Sequence, residues 1–138
     1  MESEIAFEGI APAADVEITL SGVATPDEFR RFSETLAGDP HYRAGLLMLV
    51  DVSALDTSEL SVEALQELTV PILERDWYHP PAAVAIIAAG SSHADALRYR
   101  AFLGGSRSNR EVFEARDDAV AWLAAKRLNE DGAAPESN

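Results

Sequence analysis

Apolar residues recur along this chain with three different periods, and each period predicts a kind of element. Ile5 and Phe7 alternate with polar or small residues, and so do Val16, Ile18 and Leu20. Period-two alternation predicts strands with one wet face. The stretch from Gly9 to Ala14, with Pro12, suits a connection between them, giving an antiparallel edge hairpin. Leu46 to Val52 and Ala82 to Ala89 are almost wholly apolar. Unbroken runs of this length predict strands buried on both faces, as in a parallel sheet. Arg110 to Glu114 reads as one more short strand.

Between these runs the period lengthens to that of a helix. Thr25 can cap, Pro26 suits the first helical position, and Glu28 completes a capping box, with Ala24 and Phe29 placed for a hydrophobic staple. Phe29, Phe32 and Leu36 then share a face until Gly38. A second helix runs from about Ser61 to Asp76, with Val62, Leu65, Leu68, Ile72 and Leu73 on one stripe. Pro71 falls inside it and is expected either to kink it or to split it. A third follows Gly90-Ser91-Ser92 and ends near Gly104-Gly105. The last spans Arg116 to Leu128, with Val120, Leu123 and Ala124 expected inward. From Asn129 the residues are polar and small, so residues 1–128 read as one domain and 129–138 as a disordered tail. The order of elements predicts an α/β fold. It would be a small, mainly parallel sheet of about five strands, with one antiparallel edge hairpin and four helices in successive strand–helix turns.

Composition narrows the function classes. At 138 residues the chain is long enough for one domain with a real core. It has no cysteine, which excludes disulfides, thiolate nucleophiles and iron–sulfur clusters. No apolar run is long enough to cross a bilayer, and the first residues lack the basic start of a signal peptide. The expected location is the cytoplasm. The formal net charge is −13. That balance argues against nucleic acid and against an anionic membrane surface, both of which need lysine and arginine. Residues 1–60 hold 12 acids and 3 bases, and the remainder 12 acids and 8 bases. The amino-terminal half is therefore where a protein partner with a basic surface is expected, if the acids do more than keep the protein soluble.

Three stretches together carry a family resemblance. Asp39-Pro40-His41-Tyr42-Arg43-Ala44-Gly45 leads into Leu47-Met48-Leu49-Val50-Asp51-Val52-Ser53, Val84 to Ala89 follows after a helix, and Val112-Phe113 with Ala119, Trp122 and Leu123 closes the domain. The pattern resembles the SpoIIAA-like (STAS/SEC14-like) bacterial proteins, relatives of the anti-sigma-factor antagonists, over about residues 15 to 125. The resemblance implies a superhelix of strand–helix units. It implies little about activity, because one fold serves many functions. In the antagonists a kinase phosphorylates a serine near the start of the helix after the central strand, within a motif resembling Asp-x-Ser-x-Leu followed by Asp-Ser-Ser-Gly-Leu. This chain has Asp51-Val52-Ser53-Ala54-Leu55 and then Asp56-Thr57-Ser58-Glu59-Leu60. The spacer between the halves is missing and Glu59 replaces the glycine. Ser58 matches the modified serine only across that deletion.

Open parallel sheets bind ligands beyond the carboxyl ends of their strands. Those ends are expected at Asp51, Val52 and Ser53 on one strand and at Ser91, Ser92 and His93 after the next. Asp51, Ser53, Ser91, Ser92 and His93 are therefore the candidate ligand-binding set. Asp51 and His93 would form an acid/base pair if they met. The plainer alternative has Ser92 capping a helix and His93 exposed in its first turn. His41, His79 and His93 lack metal-ligand spacing, and His41 and His93 belong to opposite ends of the sheet. No metal or cofactor is implied. Arg107 and Arg110 stand in a turn where they would either grip an anion or satisfy a helix end. Trp77 and Tyr78, ahead of Pro80-Pro81, form either an exposed partner-binding patch or a lid closing the core. Trp122 is expected to pack near Phe113.

Three functions fit these residues. The first is a non-catalytic regulatory or protein-interaction module. The second, suggested by the SEC14-like side of the resemblance, is a carrier or sensor of a small apolar, lipid-like ligand. The third, ranked last, is an enzyme using Asp51 and His93. A homodimer is compatible with all of them.

Overall fold

A computed structural model describes residues 1–7, 13–104 and 109–133, with side chains placed as far as residue 128. In chain order the elements are β1 (Glu2–Ala6), β2 (Val16–Val23), α1 (Pro26–Ala37), β3 (Leu47–Asp56), α2 (Val62–Tyr78), β4 (Ala83–Ile87), α3 (Ser91–Phe102), β5 (Asn109–Phe113) and α4 (Arg116–Ala133). They form one five-stranded sheet in the order β1-β2-β3-β4-β5. β1 and β2 are antiparallel, and the other three pairs are parallel. This is the α/β arrangement expected from the hydrophobic pattern.

The pleat of the sheet sorts the central strands into two cores. Ile18, Leu20, Met48, Val50, Val84 and Ile86 face α1, α2 and α3. Leu47, Leu49, Ala83, Ala85 and Ile87 face the opposite side, where Ala119 and Leu123 of α4 cover them. The unbroken apolar runs therefore exist because β3 and β4 are covered on both faces. The two layers are unequal: one face carries three helices and the other carries one.

The helix signals act locally, with some departures. Thr25 caps α1 by accepting from the Glu28 N–H at 3.3 Å. The Glu28 carboxylate does not close the expected box. It accepts from the Thr25 hydroxyl and from the amino-terminal ammonium of Met1, the latter at 2.8 Å. Ser61 caps α2 in the ordinary way, accepting from the Ala64 N–H at 3.1 Å. Pro71 does not split α2, which stays one element of 17 residues. It is exposed, so its ring points away from the packed side. In α4 Ala119 and Leu123 are buried and Val120 is half-buried against the same core, as expected for Val120 and Leu123, while Ala124 is exposed. Val62 likewise leaves the expected buried stripe of α2 and faces solvent. The last helix runs past the expected Leu128 to Ala133, so residues 129–133 of the expected tail are helical. The connection at Gly9–Pro12, the turn at Gly105 and Arg107, and residues 134–138 lie outside the described residues.

Candidate functional site

Of the residues expected as a ligand site, Ser92 lines the cavity beneath α1, α2 and α3, whereas Asp51, Ser53, Ser91 and His93 are not among its walls. β3 continues past Ser53 to Asp56, because β2 keeps pairing with it as far as Val23. The true carboxyl end of β3 is thus Asp56–Thr57, not Asp51–Ser53. Asp51 and Ser53 instead form a local turn of hydrogen bonds, in which the Ser53 hydroxyl and N–H both donate to Asp51 Oδ1, at 2.6 and 2.9 Å. His93 stands in the first turn of α3, with its Nε2 3.8 Å from a Glu114 carboxylate oxygen. Among the described residues Asp51 and His93 share no hydrogen bond or ion pair. Ser91 is exposed. Ser92 is buried but does not cap α3 either. Its hydroxyl donates to the Ala89 carbonyl at 2.8 Å and accepts from the Ala89 N–H. The cap position is Gly90, at φ 59° and ψ −131°. That backbone is open to glycine alone, and it allows β4 to turn directly into α3.

Ser58 sits exposed in the turn between β3 and α2, and its N–H donates to Asp56 Oδ1 at 2.9 Å. The Ser58 hydroxyl and N–H hold the Asp56 carboxyl below its ordinary value. Trp77 and Tyr78 both lie on the outside of the last turn of α2, 63% and 73% exposed, so they form no lid over the core. Trp122 packs against Phe113 with ring centroids 5.7 Å apart, as expected.

The geometry that sequence reasoning missed lies under α1, α2 and α3. A cavity of about 100 Å³ opens between these helices and the sheet. Its floor is Ile18, Leu20, Met48, Val50, Val84 and Ile86, and Phe29, Phe32, Leu65, Ile72, Ala96 and Tyr99 wall it from the helices. Ala96 is a small apolar residue in that wall, on a helix that also presents Tyr99 and Phe102 to the same core. Two polar groups of residues interrupt the lining. At the carboxyl end of β3, Thr57 donates to Asp95 Oδ2 at 2.5 Å, and Arg98 holds the other oxygen of Asp95 at 2.9 Å. On the side of α2 and β5 stand Arg75 and Arg110.

Arg110 corrects a second expectation. It is not a turn residue free to grip an anion. It lies in β5 with its side chain 4% exposed, and its Nη2 donates to the fully buried Asp76 Oδ2 at 2.6 Å. Arg75 Nε approaches the other oxygen of Asp76 at 3.3 Å, and its guanidinium lies over the Tyr42 ring, 5.1 Å from the centroid. Burial pushes the Tyr42 phenol above its ordinary value. The cluster ties the end of α2 to β5 and to the loop before β3, and so fixes one end of the cavity. A second groove between α1 and α2, lined by Arg30, Glu34, Glu67 and Pro71, adjoins it and shares Ser33, Ile72 and Arg75. Among the described residues no group of histidine, aspartate and glutamate is arranged to hold a metal ion. No described helix is long and apolar enough to cross a membrane.

No protein-family model matches the chain, and no curated protein matches it in sequence. The solved structures do contain a likeness. An uncharacterized protein of the DUF3478 family with a SpoIIAA-like fold, from Shewanella loihica PV-4, superposes with a TM-score of 0.55 at 20% identity, covering 88% of this chain and 93% of that one. Identity at that level speaks for the fold alone. With five strands in consecutive order, one antiparallel pair and four helices, this chain has a SpoIIAA-like α/β fold.

Proposed function

We propose that this chain is a non-catalytic regulatory module of the STAS-like kind, working in the cytoplasm, whose cavity holds a small apolar ligand. The observation that carries this reading is the cavity itself. Tightly packed interiors hold few voids larger than a water molecule, whereas this one has about 100 Å³ walled mainly by aliphatic and aromatic side chains. Apolar cavities of comparable size stay dry and bind benzene or xenon. At about 30 Å³ per water-sized group, the space takes a body of three or four such groups, so a short or compact apolar ligand fits and a long acyl chain needs α1 and α2 to part. An acid/base enzyme is the weaker reading, because Asp51 is occupied by Ser53 and His93 faces Glu114.

The test uses 1-butanol as a probe, followed by methyl NMR shifts. Burying about four carbons at about 0.8 kcal/mol each gives about 3 kcal/mol, which corresponds to binding in the millimolar range or weaker. Shifts concentrated on Ile86, Val84 and Ala96, saturable and abolished in Ala96→Leu, are the expected result. Shifts scattered over the surface, or unchanged by Ala96→Leu, overturn the reading. Native mass spectrometry of protein from its own host then asks whether a ligand is already carried.

A further inference from the structure

We propose that the outer face of α2 is a docking site for a basic amphipathic helix of a partner protein. The inference stands on the surface of α2 and is independent of the cavity beneath it. Leu65, Leu68, Thr69, Ile72 and Asp76 use up the inner side of the helix. On the flank beside it Val62, Val70 and Trp77 are exposed by 47%, 59% and 63%, with half-buried Leu73 among them. Their spacing of eight, three and four residues lays them along one line of a helix, since neighbours three and four apart share a face. Positions 62, 66, 70, 73 and 77 make a seam of the kind that receives another helix, with Gln66 its one polar member.

The charges beside this seam select the occupant. Glu63, Glu67 and Glu74 run parallel to it, all exposed and one step further round the helix. An apolar stripe with an acidic flank is complementary to an apolar stripe with a basic flank, and such pairing steers association and fixes register. A second copy of this chain would bring the same acids against one another on a protein of net charge −13, and an anionic membrane would meet the same repulsion. At 17 residues α2 is about 25 Å long, enough to seat four to five turns of a partner helix. The acidic half of the chain expected from charge counting is therefore not where this face lies. The surface falls in the second half, where fewer net acids stand in a better place.

The experiment titrates the full chain with a synthetic 18-residue helical peptide carrying leucines on one face and lysines on its flanks. Backbone NMR shifts and Trp77 fluorescence report binding. The expected shifts map to residues 62–78, affinity falls at least tenfold in Val70→Glu, and it falls as much in the triple charge reversal Glu63→Lys, Glu67→Lys, Glu74→Lys. All four substituted positions are exposed, and circular dichroism checks that the variants fold. Shifts spread over the acidic surface without a focus on α2 overturn the proposal, as does equal affinity of the Val70→Glu variant. Self-association of the free chain that Val70→Glu abolishes would also overturn it, making a second copy the occupant. Binding of anionic phosphatidylserine vesicles through the same residues would overturn it in favour of a membrane.

Discussion

The ion pair between Asp76 and Arg110 supplies the sharpest test of how this fold holds its cavity. Asp76 is fully buried at the end of α2, and Arg110 is nearly so in β5, at 2.6 Å. Replacing Asp76 by alanine leaves a buried guanidinium without its carboxylate. Breaking a buried pair from one side costs about 3–5 kcal/mol, because the remaining charge stays desolvated. Native stabilities are only about 5–15 kcal/mol, so the loss is a large share of the total. With a denaturant slope of about 2 kcal/mol per molar urea for a domain of this size, the midpoint of Asp76→Ala is expected to fall by about 1.5–2.5 M. The double variant Asp76→Leu, Arg110→Met removes both charges and is expected to recover most of that loss, since apolar replacement of a buried pair is often close to neutral. Equilibrium urea unfolding followed by circular dichroism measures both. A midpoint shift below about 0.5 M in Asp76→Ala would refute the reasoning, because it would mean that water or another group solvates Arg110 when the carboxylate is gone. A double variant no better than the single would show that the cluster acts through geometry and not through uncompensated charge.

Other outcomes follow from single contacts. Thr57→Val keeps the shape but removes the hydroxyl that donates to Asp95 at 2.5 Å, and is expected to cost about 1–3 kcal/mol in chemical denaturation; a neutral result would mean that solvent already serves that carboxylate. Pro71 denies α2 one N–H in its interior and is exposed, so Pro71→Ala is expected to stabilise the protein by about 1–3 kcal/mol in thermal unfolding, whereas a lower melting temperature would assign the proline a role in shaping the neighbouring groove. Glu28 is held below the ordinary 4.5 chiefly by the hydrogen bond from the Met1 ammonium. A depressed carboxyl stabilises the fold above its unfolded value and loses that contribution as pH falls through the folded one. Acid destabilisation of the wild type below about pH 4.5 should therefore be shallower in Glu28→Gln, and identical slopes would count against the contact. Asp56 is depressed from 3.8 first by the Ser58 hydroxyl, so carboxyl NMR of Ser58→Ala should show Asp56 titrating nearer its ordinary value; an unmoved titration would show that the backbone N–H alone suffices.

What this sequence determined by itself is local or depends on burial alone. Alternation at Val16, Ile18 and Leu20, the apolar runs at Leu46–Val52 and Ala82–Ala89, and the caps at Thr25 and Ser61 each state a preference that needs no distant residue. They yield the element order and, through the need to cover β3 and β4 on both faces, the α/β class. The same residues could not show where strand pairing stops. β3 ends at Asp56 because β2 continues beside it, four residues past the expected Val52, so Thr57, bonded to Asp95, stands at the carboxyl end of the strand in place of Asp51 and Ser53. Nor could periodicity distinguish Val62, which faces solvent, from Leu65, which does not; the choice depends on where α1 and α3 leave room. Arg110 read as a surface cation until Asp76, 34 residues earlier in the chain, was found beside it. The cavity was the least legible feature, because its walls are ordinary core residues. A cavity is a property of how side chains from seven elements fail to meet, and only the tertiary structure brings those elements together.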